Sequence, residues 1–263
     1  VIDQFAFEAL LAELADLYGG TAPGPVVAER RQLGAARDSY AQWLRNWFRQ
    51  HAFERQRAYW VPRMTGVERI TLPPDHPRPA FPDFLGARLP LPLPEATWTA
   101  LEQLAADRQA SLAMLLQAAL WLLLHNHTGK DDITTGLAIA NRNHRGAANV
   151  GLSLVNTIPL RIDGSGLTRF SAILERVRTA FLEGFEHQDL PFDLLVKQLD
   201  LDRRAGLSPL FGVMLNVLNV PSTPRSFGDV RIERLEIDRG GSQFDLTLTV
   251  DRQSTRTIWF EYA

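Results

Sequence analysis

Val150-Gly-Leu-Ser-Leu-Val-Asn-Thr-Ile-Pro-Leu-Arg-Ile162 is the stretch whose reading decides the fold. Strand side chains alternate between faces, so Leu152, Leu154 and Ile158 share one face while Ser153, Val155 and Thr157 share the other. Apolar residues recur on both sides, which fits a strand buried on both faces. Asn156 falls in its middle, and burying an amide without partners costs roughly 1–3 kcal/mol. Two partners suit it: backbone, as an Asn tying down a neighbouring loop, or a substrate, with the strand as the wall of a tunnel.

Upstream, Ile133–Ala140 reads as a strand of small residues and Asn141-Arg-Asn-His-Arg-Gly146 as a polar loop. Arg142 and Arg145 suit a phosphate, but the glycine spacing of a phosphate-cradling loop is missing. Further back, Ser111 to about His125 is a helix with a wide apolar arc. Pro94-Glu95 opens another helix through Leu104. Ala87–Leu93 reads as a strand held at a sheet edge by Pro90 and Pro92, because proline cannot donate to a ladder. Leu72–Pro82 is too rich in proline for a helix or an inner strand and reads as an extended strap.

At the start of the chain, Phe7, Leu10, Leu11, Leu14, Leu17 and Tyr18 repeat at helical spacing, with Asp3 placed to cap the helix and Gly19-Gly20 to end it. Thr21–Arg37 reads as a linker. Ser39 then caps a helix with an aromatic stripe from Tyr40 and Trp43 to Tyr59 and Trp60, a core pattern. Downstream come helices over Phe170–Phe185 and Phe192–Leu199, and an apolar strand over Ser208–Asn219. Strands near Val230–Ile237, Phe244–Val250 and Thr257–Glu261 follow. This order predicts a mixed sheet backed by helices, an α/β fold of the two-layer α+β sandwich kind.

Composition narrows the function. With 263 residues, 45% of them hydrophobic, and a formal net charge of −2, the chain can bury one large core or two smaller ones and has no electrostatic footprint for nucleic acid. No apolar run is long enough to span a bilayer. Absence of cysteine excludes disulfides and thiolate chemistry and is compatible with a cytoplasmic location. There is no Gly-x-Ser-x-Gly elbow, no Walker loop and no dinucleotide fingerprint. His125 and His127 stand at i and i+2, on different helix faces, so no chelate follows and no metal is expected. His187, beside Gln188 and Asp189, is read as fixing a tight helix-to-helix turn before Pro191.

Val150-Gly-Leu-Ser-Leu-Val-Asn-Thr-Ile-Pro-Leu-Arg161, His187-Gln-Asp-Leu-Pro-Phe-Asp193 and Ser208-Pro-Leu-Phe-Gly-Val-Met214 resemble three successive core motifs of condensation domains from non-ribosomal peptide synthetases, in order and in spacing. Ser39-Tyr-Ala-Gln-Trp-Leu44 is similar to an earlier motif, and Phe84-Leu-Gly-Ala-Arg88 to a strand entry. The resemblance implies a chloramphenicol-acetyltransferase-like fold of two lobes forming a V. It also implies an acyltransferase that joins a carrier-bound acyl or peptidyl thioester to the amine of an acceptor aminoacyl carrier protein. No cofactor is bound directly, since substrates ride on the 4'-phosphopantetheine arms of carrier proteins. The implied partners are upstream and downstream peptidyl carrier protein domains, an adjacent adenylation domain and an N-terminal lobe.

On this resemblance, residues 1–20 end the N-terminal lobe, 21–37 link, and 38–263 form most of the C-terminal lobe, cut before its end. Asp3 matches the Asp of the His-His-x-x-x-Asp-Gly motif, a structural role in which it pairs with an Arg. Its two histidines then precede Val1, so the chain alone is expected to be inactive, and the Arg partner is expected outside it as well. Gln4 replaces the motif's glycine and denies the turn left-handed freedom. Ser153, Asn156, Ser208 and Asn216 are the polar candidates for lining the substrate tunnel, against ordinary hydrogen bonding within the sheet. Asn156-Thr157 and His187-Gln188-Asp189 fit the condensing type rather than cyclising or epimerising relatives. A catalytically silent docking platform and a stand-alone acyltransferase are the alternatives.

Overall fold

The strand at the centre of this reading is shorter than its apolar run. In the computed structural model, which describes residues 3–18, 33–49, 51–76, 83–143, 147, 151–199, 201, 208–220, 226–227, 230–231, 237–238, 240–252 and 256–263, β3 covers only Asn156–Asp163. Asn156 is therefore its first residue, not its middle. Leu152, Ser153 and Val155 are exposed, while Ile158, Pro159, Leu160 and Ile162 are buried. The strand starts late because the backbone before it is already satisfied: the Leu154 amide donates to Asp3 and the Leu152 carbonyl accepts from Arg142, which leaves no ladder to join.

The chain divides into two compact units. One comprises Gln56–Ala138, Thr157–Leu218 and Asp238–Ala263 and holds a six-stranded mixed sheet. Its strands are β1 (Ala87–Leu91), β2 (Asp132–Ile139), β3, β4 (Val213–Leu218), β7 (Leu246–Asp251) and β8 (Thr257–Tyr262). They lie in the order β1-β8-β7-β4-β2-β3. β2, β4 and β7 run parallel, whereas β7, β8 and β1 are antiparallel. β1 and β3 are thus the edges, where Pro90 and Pro159 cost no ladder bond. The edge position of β1 agrees with its prolines, but β3 is not an inner strand.

The helices of this unit are α4 (Glu95–Asp107), α5 (Leu112–Thr128), α6 (Phe170–Glu186) and α7 (Phe192–Gln198). The Ser111 hydroxyl caps α5 by accepting from the Met114 amide at 3.2 Å. Trp121 on α5 donates from Nε1 to the Ile162 carbonyl at 3.1 Å, and Gln117 Nε2 to Thr135 Oγ1 at 2.9 Å, pinning the helix to β3 and β2. Gly136 on β2 admits the Phe211 ring, which a Cβ there would meet at 2.4 Å. β4 begins at Val213, five residues later than its apolar run, just after Gly212, whose carbonyl takes the Leu246 amide.

The other unit comprises Val1–Arg55, Ile139–Asn156 and Asn219–Ile237. It holds α1 (Gln4–Tyr18), α2 (Leu33–Arg49), the start of α3 (His51–Met64), and a two-stranded ribbon of β5 (Ser226–Phe227) and β6 (Val230–Arg231). α2 begins at Leu33, inside the expected linker, so Ser39 is an internal helical residue and not a cap. Gly19-Gly20 and most of the linker lie outside the described residues. The long strand expected over Val230–Ile237 is confined, among the described residues, to β6. Trp47 is buried against Phe48 and Phe53, with ring centroids 5.1 and 5.8 Å away.

Candidate functional site

Asp3 stands one residue before α1 and caps it, accepting from the Ala6 amide at 2.9 Å through Oδ1. Arg142 Nη2 donates to Asp3 Oδ1 at 2.7 Å and Oδ2 at 2.8 Å, and the Leu154 amide donates to Oδ2 at 3.0 Å. The same guanidinium donates to the carbonyls of Ala147 and Leu152, both at 2.8 Å, and lies 5.5 Å from the Phe5 ring centroid. The start of α1 is thereby tied to the stretch from Arg142 to Leu154, far from it in the chain.

The pair is nearly sealed from water, with the Asp3 and Arg142 side chains 4% and 8% exposed. Burial alone would raise the Asp3 carboxyl, but the amides of Ala6 and Leu154 and the Arg142 guanidinium outweigh it and hold the group below its ordinary range. Both oxygens are occupied by these donors. Asp3 therefore positions backbone rather than moving protons.

The expectation that the Arg partner lies outside the chain is corrected: it is Arg142, on the polar loop. Its role there is the ion pair, not phosphate capture. Asn141, just before it, adopts a left-handed φ of 50°, a conformation asparagine tolerates, and this turns the chain at the end of β2. Gln4 causes no strain, because it is the first residue of α1 and needs no left-handed backbone.

The other sequence candidates divide between the units. Ser153 is exposed beside the Leu154 amide held by Asp3, and Asn156 is half-buried at the head of β3. Ser208 and Asn216 belong to the sheet-bearing unit. The Ser208 hydroxyl is buried without a hydrogen-bond partner among the described residues, and Asn216 is half-buried on β4.

His187 serves the turn expected of it. It ends α6, with Nδ1 2.9 Å from the Glu183 carbonyl, and its own carbonyl accepts from Trp60 Nε1 at 2.7 Å. Its ring stacks on Tyr59 with centroids 3.8 Å apart. Burial, helped by Glu183 and opposed by Arg63, pushes the Tyr59 phenol up to about 12, so it stays protonated at neutral pH. His125 and His127 bond to different carbonyls, those of Lys130 and Leu123. Among the described residues no three His, Cys, Asp or Glu groups are placed to hold a metal ion, and no helix is long and apolar enough to cross a membrane.

Two interactions escaped the sequence. Arg69 Nη2 donates to Asp245 Oδ2 at 2.9 Å, and the pair presses so closely on Gly212 that a Cβ there would lie 2.5 Å from the Asp245 carboxylate. This explains the glycine of the Ser208–Met214 motif. Arg142 was visible as a residue but not as a partner, and the only signal was the requirement of the Asp3 motif for an arginine.

Comparison with known proteins agrees with this architecture. A linear gramicidin synthase polypeptide of Brevibacillus parabrevis is 35% identical over 268 residues, covering all of this chain and 3% of that protein. Bacitracin synthase 3 of Bacillus licheniformis is 31% identical, covering all of this chain and 4% of that one. The chain thus spans only a few per cent of the curated relatives it matches. Among solved structures, the X-domain from teicoplanin biosynthesis superposes with a TM-score of 0.80 at 20% identity, over all of this chain and 61% of that one. The first condensation domain of the calcium-dependent antibiotic synthetase gives 0.72 at 19% identity, over 99% of this chain and 55% of that one. The family model of the condensation domain matches residues 1–263, and this chain belongs to that family.

Proposed function

We propose that this chain is the acceptor-side part of an amide-forming condensation domain in a peptide synthetase. The observation that carries the reading is Asp3, which caps α1 and is locked by Arg142 at the place where the family's motif ends. A buried, fully satisfied carboxylate fixes the backbone that enters α1, and with it whatever group the preceding residues present. In this reading that group is the second motif histidine. It orients the acceptor amine or takes its proton as the amine attacks the donor thioester, with the donor carrier's thiol leaving. Donor and acceptor arrive on the 4'-phosphopantetheine arms of flanking peptidyl carrier protein domains, next to an adenylation domain.

The surface of α1 supports a lobe arrangement. Phe7, Leu10, Leu14, Leu17 and Tyr18 form one stripe and are 47–64% exposed, while the small Ala6 is buried. Water is a poor neighbour for such a stripe, and an N-terminal lobe is its natural cover. The test is to mix the synthetase bearing this chain with loaded donor and acceptor carriers and weigh the acceptor carrier by mass spectrometry. Transfer of the donor acyl group by the synthetase but not by residues 1–263 alone is expected. Turnover by residues 1–263 alone contradicts the placement of the histidines. A second reading, a silent docking platform, draws on the complex of the X-domain and OxyB from teicoplanin biosynthesis, whose fold is similar. A synthetase with folded carriers and no transfer would select it.

A further inference from the structure

Three short side chains lie side by side across the middle of the sheet. The register pairs Asn216 on β4 with Thr249 on β7, so both project from the same face. β2 pairs Gly136 with Met214 and Leu137 with Leu215, and continuing that register by one residue sets Ala138 beside Asn216. On the far side Thr249 is level with Trp259 of β8, a large buried ring. Ala138, Asn216 and Thr249 thus make a low floor, and Trp259 bounds it.

Thr249 is 2% exposed, and its hydroxyl has no hydrogen-bond partner among the described residues, although Asn216 is its neighbour. A serviceable sheet position that needs only packing would carry valine, which has the same shape without the cost of a buried, unsatisfied hydroxyl. An Asn amide and a Thr hydroxyl together offer donors and acceptors matched to both sides of one amide group.

We infer that Thr249, with Asn216, is a positioning residue that hydrogen-bonds an amide of the extended chain brought to this face. This rests on the proposed function, which supplies two amide sources: the pantetheine arm and the peptidyl chain. The test is a chemical-shift titration of the synthetase's condensation region with pantetheine and, separately, with N-acetylglycine methylamide. Wild type, Thr249→Val and Thr249→Ser are compared. Loss of one hydrogen bond weakens binding about fivefold in Thr249→Val, while Thr249→Ser keeps the wild-type affinity. Thr249→Val melts no lower than wild type, since it removes an unsatisfied group, and a structural hydroxyl would show the opposite.

Weakening confined to pantetheine identifies the arm, and weakening confined to the peptide amide identifies the peptidyl chain. Equal binding of both probes by wild type and Thr249→Val overturns the assignment of Thr249 and leaves the function untouched. Failure of wild type to bind pantetheine speaks instead against the carrier-arm reading.

Discussion

The Asp3–Arg142 knot and the six-stranded sheet are held by different physics. In the sheet-bearing unit Ile133, Leu137, Ile158, Leu160, Leu215, Val250 and Ile258 are buried, and Gly136 lets the Phe211 ring close the packing. Apolar burial at roughly 25 cal/mol per Å² carries such a core. In the other unit a buried ion pair ties α1, the polar loop and the backbone before β3, while Phe7, Leu10, Leu14, Leu17 and Tyr18 of α1 are exposed. The first unit builds a sheet core from its own side chains, although it too exposes large apolar residues such as Leu122 and Leu182. The second combines a small aromatic cluster around Trp47 with a buried charged pin, and α1 carries an exposed apolar stripe.

The sharpest way to break this contrast is to remove the pin. Arg142→Ala strands the Asp3 carboxylate in a sealed site, and loss of one partner of a buried pair costs roughly 3–5 kcal/mol. Hydrogen exchange should show α1 and the Ala6 and Leu154 amides opening while α5 and β2 keep their protection. Uniform loss of protection would mean that the units do not differ as described.

A smaller effect is expected within the sheet. Gly136→Ala forces the buried Phe211 ring aside, and overpacking of this kind costs about 1–3 kcal/mol. Denaturant unfolding followed at α5 should register the loss, and an unchanged midpoint would show that the ring has room.

Acid sharpens the comparison further. The folded-state carboxyl of Asp3 lies below its ordinary value of 3.8. Its contribution is therefore complete above the unfolded pKa and is lost as pH falls through the lower, folded one. The Ala6 and Leu154 amides should hold their protection from pH 7 to 5 and lose it below about 3.8, and earlier loss would contradict the buried-pair account.

The least change in stability is expected on α1. Leu10→Glu with Leu14→Glu alters exposed positions and should shift stability by less than about 0.5 kcal/mol, while reducing the concentration-dependent association of the 263-residue chain in sedimentation. A large loss of stability would mean that the stripe is already covered.

Sequence legibility followed the same divide. Helical spacing predicted α1, α5 and α6, and the proline pattern set β1 at an edge, because those signals are local. The head of β3 was misplaced because the backbone before it is satisfied by Arg142 and by Asp3, which lies 151 residues from Leu154 in sequence. Arg142 pairs with a residue 139 positions away, which periodicity does not report. Ser39 failed as a cap for a local reason: Leu33–Asp38 forms helix ahead of it, so the helix was already under way. Asn216 was legible as a polar residue on an apolar strand, but Thr249 blended into the alternation of Leu246–Asp251 until the register set the two side by side.

The most direct measurement is the single-turnover rate of donor acyl transfer to the acceptor carrier in the synthetase, wild type against Arg142→Ala, read by intact-protein mass spectrometry. If the ion pair fixes the group that precedes α1, misplacement lowers the rate about 10²-fold while the sheet-bearing unit stays folded. A wild-type rate from Arg142→Ala would contradict the account.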